Sequence, residues 1–292
     1  MVPAAVLAAY LGTPDATLIE CHEDTIAGGT GATTARVTRI AARASCGGDE
    51  REVALIRKEF HPVISGRHAI ASADPRHWAY WRREPLAYAA AVLPAGPALA
   101  APRCYGVFDN AVYLQDVTGT AESPALAARR LGAWQATAVS PDVHWLAGHQ
   151  LAQRVAVSDL DWTAVDADPL LASIWSRRWD LLAELNRVPG VLSHGDFHVG
   201  NLVAAGDTTV ALDWGAVGVS PAGADLAHLA LSTLEDLVGE YLAGVAGRFD
   251  PALVRLGYRT TLALTGVSRI HWMLSRETPI PAGYEEFVLA GS

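Results

Sequence analysis

The chain has 292 residues, of which 51% are hydrophobic and 18% charged, a composition that excludes a disordered protein. Its net charge of −9 argues against a general nucleic-acid binder, which needs a basic face to displace phosphate counterions. No apolar run approaches the ~20 residues that span a bilayer, so neither nucleic acid nor a membrane is an expected partner.

In chain order, residues 1–12 are apolar with no preceding Lys or Arg, which predicts a short helix packed on the body rather than a signal peptide. Residues 24–31 (DTIAGGTG) read as a glycine-rich turn. Residues 32–44 and 51–60 read as strands joined by a turn at 45–50. Residues 77–93 carry a helical apolar stripe, with Pro85 in the middle either kinking the helix or marking its true start. A Pro- and Gly-rich stretch leads to a strand at 111–115. Beyond Gly119 the pattern turns helical, at 124–138, 169–186, 224–243 and 251–274. One hairpin interrupts it, with strands at 200–203 and 208–212 around a turn at 205–207. The expectation is an α+β fold with a β-rich lobe over residues 1–115 and a helical lobe over 116–292.

Charge is divided unevenly between these parts. Residues 1–115 hold 11 acidic and 11 basic residues, whereas residues 116–292 hold 20 acidic and 11 basic ones. An acidic second part favours a cationic ligand, since a cleft of one sign concentrates the other. Of the 22 basic residues only Lys58 is Lys, so that position resists a strong bias towards Arg, as a site needing a compact ammonium would. Three widely spaced cysteines, Cys21, Cys46 and Cys104, suggest neither a disulfide framework nor a zinc site, which fits a cytoplasmic protein.

The stretch SHGDFHVGNL at 193–202, the hairpin, and then ALDWG at 211–215 carry the chemistry. A hairpin brings its ends together, so Asn201 and Asp213 should lie side by side as a hard-oxygen pair suited to Mg²⁺. Asp196 would stand beside that metal as a separate carboxylate, the arrangement phosphoryl transfer requires. His194 and His198 are four apart but lack the HExxH context of a metal pair. Trp78, Trp81, Trp175 and Trp179, at helical spacing, read as core.

HGDxxxxN followed by LDW resembles the aminoglycoside phosphotransferase and choline kinase-like family, which implies a protein-kinase-like two-lobe fold. The resemblance implies Asp196 as catalytic acid–base, Asn201 and Asp213 as Mg²⁺ ligands, and ATP or GTP as phosphoryl donor. It further implies Lys58 on the α- and β-phosphates, Glu84 as its partner, Gly28, Gly29 and Gly31 over the phosphates, and Gln115 to Val117 as the hinge reading the base. His194 and Asp225 would brace the loop. Arg57 is a rival phosphate contact, but strand alternation points it away from Lys58. The departures are Pro85 directly after Glu84, a glycine loop without GxGxxG spacing, and Trp214 where protein kinases have Phe.

Only 11 residues separate Asp213 from Asp225, too few for the activation loop of a protein kinase, so a small-molecule acceptor is expected. The acidic bias favours a cationic one, such as an aminoglycoside or another basic antibiotic inactivated by phosphorylation, or an amino alcohol. Asp159, Asp161 and Trp162, with Glu235 and Glu277, are the candidate acceptor contacts, through ion pairs and cation–π contact. A biosynthetic kinase of the same fold and a kinase-like protein that binds without turnover are the alternatives.

Overall fold

The computed structural model describes residues 2–28 and 31–292, so Gly29 of the glycine-rich stretch lies outside the described residues. Helix α1 (Ala4–Leu11) precedes strands β1 (Thr17–Thr25), β2 (Thr34–Cys46) and β3 (Asp49–Phe60). Gly47 and Gly48, at φ of 60° and 93°, make the two-residue connection between β2 and β3. Two left-handed residues in succession match the twist of the flanking strands, and glycine adopts them without steric cost. Helix α2 (Arg83–Ala89) follows, then β4 (Leu99–Ala100), β5 (Cys104–Phe108) and β6 (Ala111–Gln115). The five longer strands form one antiparallel sheet in the order β1-β2-β3-β6-β5. Val6 and Leu7 of α1 pack onto Ile40, Val53 and Leu55 of that sheet. The helix expected over 77–93 is only seven residues long, because Pro85 has no N–H to give and fits only its first turn.

The remainder is largely helical: β7 (Thr120–Ala121), α3 (Pro124–Thr137), α4 (Gln150–Ala156), α5 (Pro169–Ser176), α6 (Arg178–Glu184) and β8 (Gly190–Ser193). Then come β9 (Leu202–Ala205), β10 (Thr208–Ala211), β11 (Gly218–Pro221), α7 (Ala224–Thr233), α8 (Val238–Val245), α9 (Pro251–Leu274) and α10 (Tyr284–Gly291). Three helices start on the same device. Ser123, Asp168 and Asp250 accept a hydrogen bond from the backbone N–H of Leu126, Leu170 and Ala252, with Pro next in sequence. The side-chain oxygen satisfies an orphan N–H, and Pro has none to satisfy. The helix expected over 224–243 is two, because Leu234 turns left-handed at φ 59° and Asp236 recaps the chain at Val238. The one expected over 169–186 breaks at Arg177.

Leu131, Leu171, Leu226, Leu229 and Leu262 form the centre of a core built around α9. Trp175 joins it, whereas Trp179 is half exposed and is not core. Strand β4 pairs in parallel with β10, and Leu99 joins the helical core although its sequence neighbours belong to the other sheet. Among the described residues, no helix is long and apolar enough to cross a membrane.

Candidate active site

The β9–β10 hairpin is closed by Leu212 N–H donating to Asn201 C=O at 2.8 Å, which sets Asn201 beside the Leu212–Asp213 step. Asn201 Nδ2 donates to the backbone oxygen of Asp196 at 3.0 Å and so fixes the loop between them. Gly195 has φ 83°, and a Cβ there would stand 2.4 Å from the Ala216 carbonyl oxygen. Only glycine lets the loop run this close to the Asp213–Ala216 turn. Asp213 is itself left-handed, at φ 61°, a conformation uncommon for residues other than glycine but better tolerated by Asp.

The loop is held from beneath by a buried network. Asp225 accepts from the backbone N–H of His194 at 2.8 Å and of Gly195 at 2.9 Å, and from Gln135 Nε2 at 3.1 Å. Tyr241 donates to Gln135 at 2.6 Å. Burial raises the Asp225 pKa, against the backbone hydrogen bonds from His194 and Gly195 that favour the anion. His194 is fully buried; its Nε2 meets the Leu212 carbonyl at 2.8 Å and its Nδ1 the Asp196 N–H at 3.2 Å. These partners assign a neutral ring with the proton on Nε2.

Between the sheet and this loop lies a cavity of about 450 Å³. Lys58, Glu84, Asn201 and Asp213 line it, with Gly28 and Gly31 from the glycine-rich turn and Gln115 and Val117 from the crossing segment. Lys58 Nζ donates to Glu84 Oε2 at 2.6 Å and to Asp213 Oδ1 at 2.8 Å. Arg57 faces the other side of β3 and pairs with Glu23 at 2.8 Å. Burial alone would discharge Lys58, but Glu84 and Asp213 outweigh it and leave the pKa raised. Burial pushes Glu84 up to about 7 despite the ammonium beside it. Burial also acts to raise Asp213, yet Lys58 dominates and holds it below the usual carboxylate range.

The donor chemistry of Asn201 and Asp213 suits Mg²⁺. Both are hard-oxygen side chains, both line the same cavity, and Asp213 is held ionised. Among the described residues no group of three or more His, Cys, Asp or Glu could hold a metal ion. Such a site needs further ligands from elsewhere, as is usual for an ion that shares phosphate oxygens and keeps its waters.

Asp196 is half-buried and does not itself line the cavity; its backbone oxygen is held by Asn201, which does, and His198 Nε2 lies 3.7 Å from its carboxylate. The charges acting in this region are mostly positive. Asp196 favours the Arg154 cation, while Arg269 and Arg67 oppose it, and Arg269, Arg154 and His198 all act on His228 of α7. Of the residues expected as acceptor contacts, the four acids are all exposed. Asp161 caps its own turn through Thr163, and Asp159, Glu235 and Glu277 are exposed. Trp162 packs edge-on against His271 at 4.9 Å. None of these five lines the cavity that holds Lys58 and Asp213. Many of the lobe's acids cap turns and helices, such as Asp168, Asp236 and Asp250, or pair with arginine, as Glu122 and Glu240 do.

One functional group has no signal in the sequence. Arg83 is fully buried, has no carboxylate partner among the described residues, and donates all five N–H groups to backbone carbonyls. The acceptors are Trp145, Trp78, Gly215, Pro75 and His77, at 2.6 to 3.2 Å. It thereby ties α2, which carries Glu84, to the turn that carries Asp213.

The profile of the APH phosphotransferase enzyme family matches residues 112–258. The chain belongs to this family. Its phosphotransferase fold recurs in solved structures of low identity. A choline/ethanolamine kinase family protein from Mesorhizobium loti is 16% identical, with a TM-score of 0.53 over 99% of this chain and 90% of that one. APH(2")-IIia, solved with GDP and kanamycin, is 14% identical with a TM-score of 0.53 over 98% and 94%. Macrolide 2'-phosphotransferase MphH from Brachybacterium faecium is 18% identical with a TM-score of 0.51 over 95% and 93%. No curated protein sequence matches the chain. The phosphotransferase thus has the α+β, two-lobe, kinase-like architecture of enzymes whose acceptors differ widely.

Proposed function

We propose that this phosphotransferase moves the γ-phosphoryl group of ATP or GTP to a hydroxyl of a small molecule, with Mg²⁺ as cofactor. The observation that carries this reading is Lys58, bonded to Glu84 and Asp213 on the wall of a cavity that also holds Asn201. In this reading residues 1–115 hold the nucleotide, with Gly28, Gly29 and Gly31 over its phosphates and Gln115 to Val117 along the base. Residues 116–292 supply the loop and the acceptor pocket.

Lys58 shifts from Asp213 towards the nucleotide phosphates while Glu84 keeps it oriented. Asn201 and Asp213 are the metal ligands, and Mg²⁺ when bound neutralises charge on the phosphates. Asp196 accepts the hydroxyl proton as the acceptor oxygen bonds to the γ-phosphorus. The bond from that phosphorus to the bridging oxygen breaks, and its electron pair leaves with ADP or GDP. Positioning and charge neutralisation supply most of the acceleration. His194 and Asp225 act through the loop backbone and touch no substrate.

The test is Mg²⁺-dependent ADP or GDP release across a panel of aminoglycosides, basic peptide antibiotics, macrolides, choline and homoserine, with Asp196→Asn as the blank. That variant should lose roughly 10²- to 10⁴-fold in kcat, the usual worth of a positioned acid–base group, with nucleotide affinity nearly unchanged. Near-normal turnover would remove Asp196 from this role.

A further inference from the structure

Arg154 of α4 and Arg269 of α9 line a small cavity of about 60 Å³, together with Ser158, Thr265 and Ser268. Among the described residues neither guanidinium has a carboxylate within ion-pair distance. The cavity is joined to the catalytic loop through Gln150. With its amide oriented by its neighbours, Gln150 Nε2 donates to the Gly195 carbonyl at 2.6 Å and Oε1 accepts from Arg154 Nη2 at 2.8 Å. Gly195 is the residue before Asp196. Arg154 also stacks over Trp78 at 4.0 Å, which fixes its plane. Part of its surface still reaches solvent, although desolvation pulls its pKa down to about 10, so it stays charged at neutral pH. Asp196 supports the Arg154 charge only from beyond ion-pair distance while Arg269 opposes it, and an anion between the two arginines would relieve that repulsion. A water occupies about 10–15 Å³ of such space, so 60 Å³ takes a group of a few heavy atoms.

We propose that Arg154 and Arg269 form an anion subsite next to Asp196, with Thr265 and Ser268 as added donors, which holds a carboxylate or phosphate carried by the acceptor. This rests on Asp196 facing the acceptor hydroxyl. The acceptor is then a hydroxyl compound with an anionic group, and the lobe's overall acidity describes its outer surface rather than its substrate. Planar guanidinium forks suit both anions, through paired N–H donors.

The experiment is a thermal-shift titration of the full chain with malonate and, separately, inorganic phosphate, in saturating Mg²⁺ and AMP-PNP at constant ionic strength. The expected result is saturable stabilisation by at least one of them, and which one identifies the acceptor's group. In the Arg154→Gln/Arg269→Gln double variant the midpoint should weaken by roughly tenfold or more, the worth of a charge-assisted hydrogen bond. The Lys double variant should recover part of it. The shift produced by AMP-PNP itself should persist in both variants, which shows that they fold and separates this proposal from the kinase reading. Equal anion responses in wild type and the Gln variant, or none in wild type, would overturn it. So would an anion that competes with AMP-PNP, which would place the two arginines on the transferring phosphoryl group instead.

Discussion

At the scale of single residues, the site turns on one amine shared by two carboxylates. Lys58 is 2.6 Å from Glu84 and 2.8 Å from Asp213, and the two acids respond in opposite directions. Burial takes Glu84 up to about 7, while Lys58 keeps Asp213 low. As the pH falls through about 7, Glu84 gains a proton and Lys58 loses the anion that orients it, while Asp213 stays ionised. The value of kcat/KM for nucleotide should therefore decline on the acid side of neutrality. Glu84→Gln should be slow at every pH and lack that acid limb, and a rate profile from pH 5.5 to 8.5 decides it. The meeting of Asn201 and Asp213 in one cavity was legible in the sequence because it follows from one hairpin. Lys58 was legible because it stands alone among arginines. Arg154 and Arg269 were not, since α4 and α9 meet only in three dimensions and no local pattern marks the pairing.

At the scale of elements, the predicted helices and strands hold where hydrophobic period and caps agree, as in α3, α9 and β6. They fail where a single backbone angle breaks a periodic stretch, as Leu234 does between α7 and α8. Strands β1, β8 and β11 escaped because β1 is largely exposed and polar and the other two are only four residues each. Arg83 is the least predictable part, since nothing about an arginine beside Glu84 announces five carbonyl partners. It joins α2, the segment before it, the Trp145 loop and Gly215. An unsatisfied buried acceptor costs about 1–3 kcal/mol, so Arg83→Met should destabilise the fold by upwards of about 3 kcal/mol. Denaturant unfolding measures this. Activity should fall further than stability predicts, because Glu84 and the Asp213 turn lose their common tether.

At the scale of the whole molecule, the cavity takes walls from the five-stranded sheet, α2 and the base of the β9–β10 hairpin, so its occupant bridges the sheet and the hairpin. A ligand that binds only the folded state stabilises it by RT ln(1 + [L]/Kd), about 2.7 kcal/mol at roughly 100 times Kd. Mg²⁺ with AMP-PNP should raise the Tm by several degrees, and Asp213→Ala should abolish most of the metal-dependent part. Calorimetry with and without EDTA separates the two contributions. The fold and family were readable from one 37-residue neighbourhood, residues 193–229. The identity of the acceptor was not, because a lobe's net charge averages over surfaces that face different ways.

The solitary lysine has a practical corollary. Apart from the chain's α-amino group, Lys58 is the one primary amine this protein possesses. No surface lysine competes for an amine-directed acylating probe, and because Glu84 and Asp213 keep the buried amine protonated, labelling should be slow, should quicken at high pH, and should give mass spectrometry a single internal adduct inside the cavity. Bound nucleotide should shield that adduct from forming. The native sequence thereby provides its own occupancy sensor, able to rank candidate nucleotides without mutation, radiolabel or knowledge of the acceptor.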